Sequence, residues 1–300
     1  MIRKVNYNDI DFEKYSQCIE KSVQRKYSAA KQFLDLTSDK KWEILVYGDY
    51  EAVMPVPYVI KLGIKIVQNP RLCQQLGIYS REDDQEINDL FYTFLCKKYN
   101  VRYYSFNDTN QFSFILKSRK NYLILPDLYQ NVFSKYSPKR KRKLRTDPEI
   151  QQDMLIKKVS FLNSEKFIRN TLKGADKERD ISEYISLFEK LYINNCLFFE
   201  ALYFKNEMIN IIAVYHDDKT AVLLGTFNHE DYIKLSGSSI LIDYVLKNTV
   251  EKKIFDFEGG NLPNLDEFFR GFRPEMKPYL YISNNLRDIL LAKGKKYLNI

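Results

Sequence analysis

Residues 196–227, CLFFEALYFKNEMINIIAVYHDDKTAVLLGTF, hold apolar runs of strand length broken at Asn206-Glu207 and Asp217-Asp218. Aromatic and β-branched side chains fill the runs, and the breaks are of turn-forming types, so the segment predicts an antiparallel meander. A second run, WEILVYGDYEAVMPVPYVI from Trp42, breaks at Gly48-Asp49 in the same way. Flat elements of this kind need covering. Ser80-Arg-Glu-Asp-Asp opens a segment with Ile87, Leu90, Phe91, Phe94 and Leu95 at helical spacing, and Asp180 opens another with Ile181, Tyr184, Ile185, Phe188, Leu191 and Tyr192. Both predict amphipathic helices packed on a sheet.

The order of elements repeats. Helices lead to a meander, from Trp42 and again from Cys196; a helix follows, from Arg81 and from Gly237; then comes an isolated strand, VRYYSF at 101–106 and KIFDFE at 253–258. The offset is close to half the chain, which predicts a diverged internal duplication. With 45% hydrophobic and 15% aromatic residues in a chain of 300, two domains can each bury a core. The expectation is α+β throughout, with domains 1–135 and 136–300. Near the join lies SPKRKRKLR, residues 137–145, between Pro138 and Pro148. It predicts a short basic helix from Pro138 that ends by Thr146, before a strand MLIKKVSF at 154–161.

Lysine and arginine number 47 against 39 acidic residues, a net charge of +8. That surplus favours anionic partners: nucleic acid, a phosphorylated cofactor or an anionic lipid surface. The opening MIRKVNYNDIDFEKYSQ carries charges where a signal peptide is apolar, and no run approaches the roughly 20 residues of a membrane helix, so a cytoplasmic location is expected. Cys18, Cys73, Cys96 and Cys196 lack metal-ligand spacing and fit small buried hydrophobes. His216 and His229, both in polar segments near turns, are too few for a multi-histidine metal centre, and neither GxSxG nor HExxH occurs.

Three stretches taken together, LVYGDYEAVMPVPYVIKLGIKIVQNPRLCQQLGIYS, FSKYSPKRKRKLR and FDFEGGNLPNLDEFFRGFRPEMKPYLYI, resemble the double-domain branch of the GNAT acyltransferase superfamily, the FemABX-like proteins. The resemblance implies two GNAT-like domains, each a mixed, mostly antiparallel sheet flanked by helices. It also implies transfer of an acyl or aminoacyl group to an amine, small or peptidyl. GNAT enzymes hold the acyl-CoA pyrophosphate at a helix start with the pattern Gln or Arg, two residues, Gly, one residue, Gly or Ala. The matching place here is Lys234-Leu-Ser236-Gly237-Ser238-Ser239, where only Gly237 agrees. A small-residue turn entering a helix still presents N–H groups and the positive dipole end, although Ser236 or Ser238 could equally be an ordinary cap. Many FemABX-like proteins use aminoacyl-tRNA instead. In that case Lys139, Arg140, Lys141, Arg142, Lys143 and Arg145 would form a phosphate-contacting strip with steep salt dependence.

In the resembled fold the strand after that helix splays from its neighbour and makes the reaction cleft. Alternation along Lys253-Ile-Phe-Asp-Phe-Glu puts Asp256 and Glu258 on one face, suited to relieving an ammonium of its proton. Gly259 and Gly260 allow a close approach of backbone to ligand. Arg270 and Arg273 match a carboxylate or phosphate, and Tyr279 is a candidate proton donor to the leaving group. Structural roles compete: Asp256 as a turn cap, Glu258 as a bridge to Arg270, Tyr279 as a packed aromatic. In the first half, Gln74 and Gln75 are candidate groove residues beside Gln68. The rival class is a GNAT-fold module without chemistry that binds an anionic ligand or RNA. No metal is called for.

Overall fold

A computed structural model describes residues 1–145, 147–175, 177–285, 287 and 289. Its chain opens with β1 (Ile2–Val5), α1 (Phe12–Lys21) and α2 (Lys31–Ser38), then the meander β2 (Trp42–Tyr47), β3 (Ala52–Lys61) and β4 (Ile64–Gln68). A short β5 (Tyr79–Ser80), α3 (Gln85–Lys98), β6 (Asn100–Ser105) and β7 (Lys117–Arg119) follow. Next come β8 (Tyr122–Ile124), α4 (Tyr129–Lys135), the basic α5 (Pro138–Leu144), α6 (Pro148–Gln151), β9 (Met154–Val159), α7 (Phe161–Thr171) and α8 (Glu178–Ile193). Thr146 lies outside the described residues. The second meander is β10 (Leu197–Phe204), β11 (Glu207–His216) and β12 (Thr220–Asn228), followed by α9 (Gly237–Thr249), β13 (Ile254–Asp256), α10 (Pro263–Arg270), β14 (Glu275–Met276) and β15 (Tyr279–Ser283).

The compact units are Met1–Arg119 with the chain from Pro278, and Lys120–Lys277. This differs from a join at 135/136, because strands are claimed across it. The first sheet runs β1-β2-β3-β4-β6-β15-β7, with β5 added on β3; the second runs β9-β10-β11-β12-β13-β8-β14. Place by place the two orders agree. Each has an antiparallel meander, then a parallel pair joined through a helix, β4 with β6 and β12 with β13. Each parallel strand then takes an antiparallel neighbour from elsewhere in the chain, β15 beside β6 and β8 beside β13. Lys120 and Lys277 therefore both mark places where the chain passes between units.

Local chemistry sets the ends of the elements. Asp84, the last residue of the stretch expected to open this helix, starts α3 by accepting from the N–H groups of Glu86 and Ile87. Lys205 and Asn206 both have positive φ, 50° and 66°, so the β10–β11 hairpin turns one residue earlier than its sequence break suggested. Asp217 closes the next turn by accepting from Lys219 N at 2.8 Å and Thr220 N at 2.6 Å. In the second unit α9 covers the sheet with Leu241, Ile242, Val245 and Leu246, which join Ile212, Val214, Leu223 and Phe255 in one buried cluster. Cys73 and Cys196 are buried and Cys18 half-buried, but Cys96 is exposed, on the outward side of α3.

β13 is shorter than the alternation in KIFDFE predicts. Asp256 Oδ1 accepts from Glu258 N at 2.9 Å, and Glu258 adopts φ 50°, so the chain leaves the strand after Asp256. Asp256 and Glu258 therefore do not lie on one strand face. Gly260, at φ 134°, brings its backbone against the Tyr122 ring, where a Cβ would fall 2.5 Å from Cε2. Gly259 is less constrained, its notional Cβ 3.6 Å from Phe269. Gly260→Ala should cost about 2 kcal/mol or more and lower Tm by several degrees, while Gly259→Ala stays within about 0.5 kcal/mol, read by thermal unfolding.

His216, at the end of β11, packs edge to face on Phe198 with 5.4 Å between ring centres. Burial, helped by Lys253 and Lys158, pushes its imidazole from 6.5 down to about 4. Between those values the unfolded chain binds a proton that the folded chain refuses. Stability present above about pH 6.5 is thus lost as pH falls toward about 4, at a cost on the order of 2 kcal/mol. His216→Phe should flatten this acid limb when unfolding is followed from neutral pH downward.

Candidate active site

β12 and β13 run side by side from Thr220 and Ile254 to Val222 and Asp256, where their pairing ends. Just beyond, the β11–β12 register slips: Val214 faces Leu223 and Ala213 faces Gly225, leaving Leu224 as an extra residue. A bulge bends its strand and deepens its twist. β13 cannot follow, because Phe255 and Asp256 pair with Ile124 and Leu123 of β8, and Phe257 N donates to Tyr122 O at 3.0 Å. β12 continues alone past the end of that pairing to Asn228 and leads through the turn at 230–235 to the start of α9.

The equivalent place in the first unit is closed by its own chain. After Gln68, where the β4–β6 register slips, the loop folds back: Leu76 N donates to Ser105 O at 3.0 Å, and Ser105 Oγ donates to the Gln74 carbonyl. Gln75 is 2% exposed and its Nε2 donates to Gln74 Oε1 at 2.9 Å. Gln74 and Gln75 thus pack the first unit's wall, while Gln68 accepts from Arg102.

At the start of α9 the side chains are committed. Ser236 is left-handed, φ 58°, and gives no side-chain cap; Ser238 Oγ instead donates to Asn228 Oδ1 at 2.5 Å. Gly237 lies so close to Asn210 that a Cβ would fall 1.8 Å from its Oδ1. Asn210 in turn donates to Asn228, and its buried Oδ1 has no partner. Ser239 Oγ accepts from Arg140 Nη1. Backbone N–H groups of Ser239 and Ile240 turn back to Ser236 O, so those of Gly237 and Ser238 are the pair best placed for a phosphate.

Arg140 breaks up the expected cationic strip. It is 4% exposed, its guanidinium carbon 4.3 Å and 4.2 Å from the ring centres of Phe268 and Phe272. Nη2 donates to Phe268 O at 2.6 Å, and burial without a facing carboxylate pushes its pKa down to about 10. Lys141 turns away to Ser134 O at 2.7 Å, and Lys139 pairs with Glu267 at 2.6 Å. Arg142, Lys143 and Arg145 remain, lining a cleft of about 450 Å³ with Lys234 and Ser236. On the other side of α5, Lys139 and Lys143 join Arg270 and Arg273 around a cleft of about 620 Å³. Arg270 lies 3.9 Å from Asp266.

Asp256 is 3% exposed, and its Oδ1 also accepts from Asn121 Nδ2 at 3.0 Å. Asn121 Oδ1 takes Gly259 N at 3.1 Å, so Asn121 and Asp256 together hold the turn that displays half-buried Glu258. Tyr279 belongs to β15 in the first unit, buried at 2% exposure, and is not in the unit that carries Asp256 and Glu258. Asn121, Asn210, Asn228 and the Leu224 bulge are site features that sequence reasoning missed; polar residues inside strand-like runs were their only trace. Among the described residues no cluster of His, Cys, Asp and Glu could hold a metal ion.

No protein-family model and no curated protein matches the sequence. Solved structures do match. FemX superposes at TM-score 0.65 with 10% identity, covering 96% of this chain and 99% of FemX. A conserved protein from Bacteroides thetaiotaomicron gives TM-score 0.56 at 10% identity over 95% of this chain and 100% of the other. A tandem GNAT protein from the clavulanic acid biosynthesis pathway gives 0.51 at 10% identity over 94% and 97%. With its two sheets of like order, the chain has the double GNAT-like fold of the FemABX-like proteins.

Proposed function

We propose that this protein is an N-acyltransferase that moves an acyl or aminoacyl group from acyl-CoA or aminoacyl-tRNA onto an amine, with the reaction centre in the second unit. The observation that carries this reading is the cleft beside the start of α9, where Lys139, Arg142, Lys143, Arg145 and Lys234 outnumber Asp147. Either donor brings phosphate. The N–H groups of Gly237 and Ser238, with Lys234, Arg142, Lys143 and Arg145, suit it. Buried Arg140 under the same helix start adds positive potential that no carboxylate offsets.

The amine nitrogen attacks the carbonyl carbon of the thioester or ribosyl ester, the bond to sulfur or oxygen breaks, and the leaving atom takes a proton. Glu258 is the group we assign to the ammonium's proton, directly or through a water. Asp256, spent on Asn121 and Glu258 N, acts as a positioning residue. Arg270 and Arg273 suit an acidic group on the acceptor.

A second reading has one observation in its favour. Asn210 and Arg140 fill the space under the start of α9, which suits a module that binds an anion without chemistry. Glu258→Gln separates the two: in an enzyme, turnover should fall by about 100-fold or more with donor binding kept. Binding is tested by thermal shift with acetyl-CoA, longer acyl-CoAs, CoA and bulk tRNA at low and moderate salt. One donor class should raise Tm saturably, and Lys234→Glu with Arg142→Glu should abolish that rise. No shift with any of them would refute both readings of the cleft.

A further inference from the structure

In the second unit the end of α10 is tied to the start of α5. Gly271, just past α10, accepts at its carbonyl from Ser137 N at 3.0 Å, and the Ser137 hydroxyl caps α5 by accepting from Arg140 N at 3.1 Å. The cleft of about 620 Å³ at this junction is lined by Lys139, Arg140 and Lys143 of α5 and by Arg270, Gly271 and Arg273 at the end of α10. Its two carboxylates are already engaged. Glu267 holds Lys139 at 2.6 Å, while Asp266 accepts from the Tyr122 hydroxyl and from Lys120 Nζ and lies 3.9 Å from Arg270. Among the described residues no carboxylate pairs with Lys143 or Arg273, and both are exposed.

Arg140 supplies an independent sign of a ligand. It is 4% exposed, and its Nε is a buried donor without a partner. Such donors are rare in folded proteins. The edge formed by Nε and Nη2 is one that can grip an oxyanion with two parallel bonds, and it faces Gly271, where a Cβ would fall 3.0 Å from both atoms. Glycine at 271 keeps side-chain atoms off that edge.

An anion at the end of a helix ordinarily meets unpaired carbonyls, which repel it. Here those carbonyls are occupied. Phe268 O accepts from Gly271 N and Arg140 Nη2, Phe269 O from Phe272 N, and Arg270 O from Arg273 N. Arg273 itself is left-handed, φ 57°, a conformation that non-glycine residues seldom adopt and that recurs in ligand-binding loops.

We propose that the cleft between α5 and α10 is an anion site in its own right, distinct from the start of α9, and that it takes a doubly charged oxyanion, a phosphate monoester or a dicarboxylate. With Lys139 and Arg270 set against the two acids, Arg140, Lys143 and Arg273 remain uncompensated, a surplus that one negative charge does not balance. Guanidinium forks match both kinds of oxyanion. The acceptor role given above to Arg270 and Arg273 rests on the acyl-transfer reading, whereas the anion site rests on its own residues.

The test is isothermal titration of the full chain with inorganic phosphate, malonate and acetate at one ionic strength. Saturable binding is expected for phosphate or malonate, the tighter of the two identifying the source, with acetate weaker by about tenfold or more. Arg273→Glu and Arg270→Glu should each weaken that binding by about tenfold or more, at unchanged Tm because both side chains are exposed. Lys143 lines the cleft beside α9 as well, so the separation between sites is read from Lys234→Glu with Arg142→Glu, which should leave the titration in place. No saturable binding of either dianion, acetate binding as tightly, or binding lost in Lys234→Glu with Arg142→Glu but kept in Arg273→Glu would overturn the proposal. A protein that binds malonate or phosphate through Arg273 but responds to neither CoA compounds nor tRNA would keep this site and refute the acyl-transfer reading.

Discussion

A buried guanidinium organises the second unit. Arg140 lies between Phe268 and Phe272, reaches Ser239 at the start of α9 and caps the carbonyl of Phe268 near the end of α10, so one side chain fixes three helices. Such a contact is costly, since burial disfavours the charge and no acid repays it. The aromatic faces recover part of that cost through their negative quadrupoles. What remains is a positive centre close to the N-terminal end of a helix, where the backbone dipole is positive as well. An anion brought to that place would relieve both, which is the physical case for the phosphate site we propose there.

A second constraint lies in the different fates of two parallel strands. β12 is free to bend at Leu224 because its ladder to β11 absorbs an extra residue. β13 is held by β8, and its following turn is held by Asn121. The first unit begins with the same strand order and ends differently: its loop after Gln68 returns and occupies the gap, with Ser105 as the anchor. One architecture thus carries a different continuation after the parallel pair in each unit. A truncation at 135/136 would remove β8 from the second sheet and leave β13 paired with β12 alone, so the halves are not separable there.

Much of the fold was legible in the sequence. Both meanders, the capped α3, the basic α5 and the order of elements follow from local patterns, because strand period, turn residues and helix caps act within a few residues. The site was legible only in part. Reading Asp256 and Glu258 as a shared face assumed that alternation continued, but the Asp256 side chain bends the chain first. Six cations within residues 139–145 looked like one strip, yet helical spacing turns Arg140 inward and Lys141 away. The contacts that decide these outcomes join distant positions: Arg140 to Ser239 across 99 residues and Asn121 to Asp256 across 135. Periodicity carries no information over such distances.

Net charge illustrates the same limit. A surplus of +8 says that anionic partners are favoured, but spreads the preference evenly over the molecule. In the fold the surplus is not even. Unit one gathers carboxylates beyond β5 and lysines beyond the β3–β4 turn. Unit two gathers arginine and lysine on either side of α5. Beyond a Debye length of about 8 Å at physiological salt, separate clusters act independently. In the second unit α5 is thus the element whose cations line two clefts, and the net charge alone does not single it out.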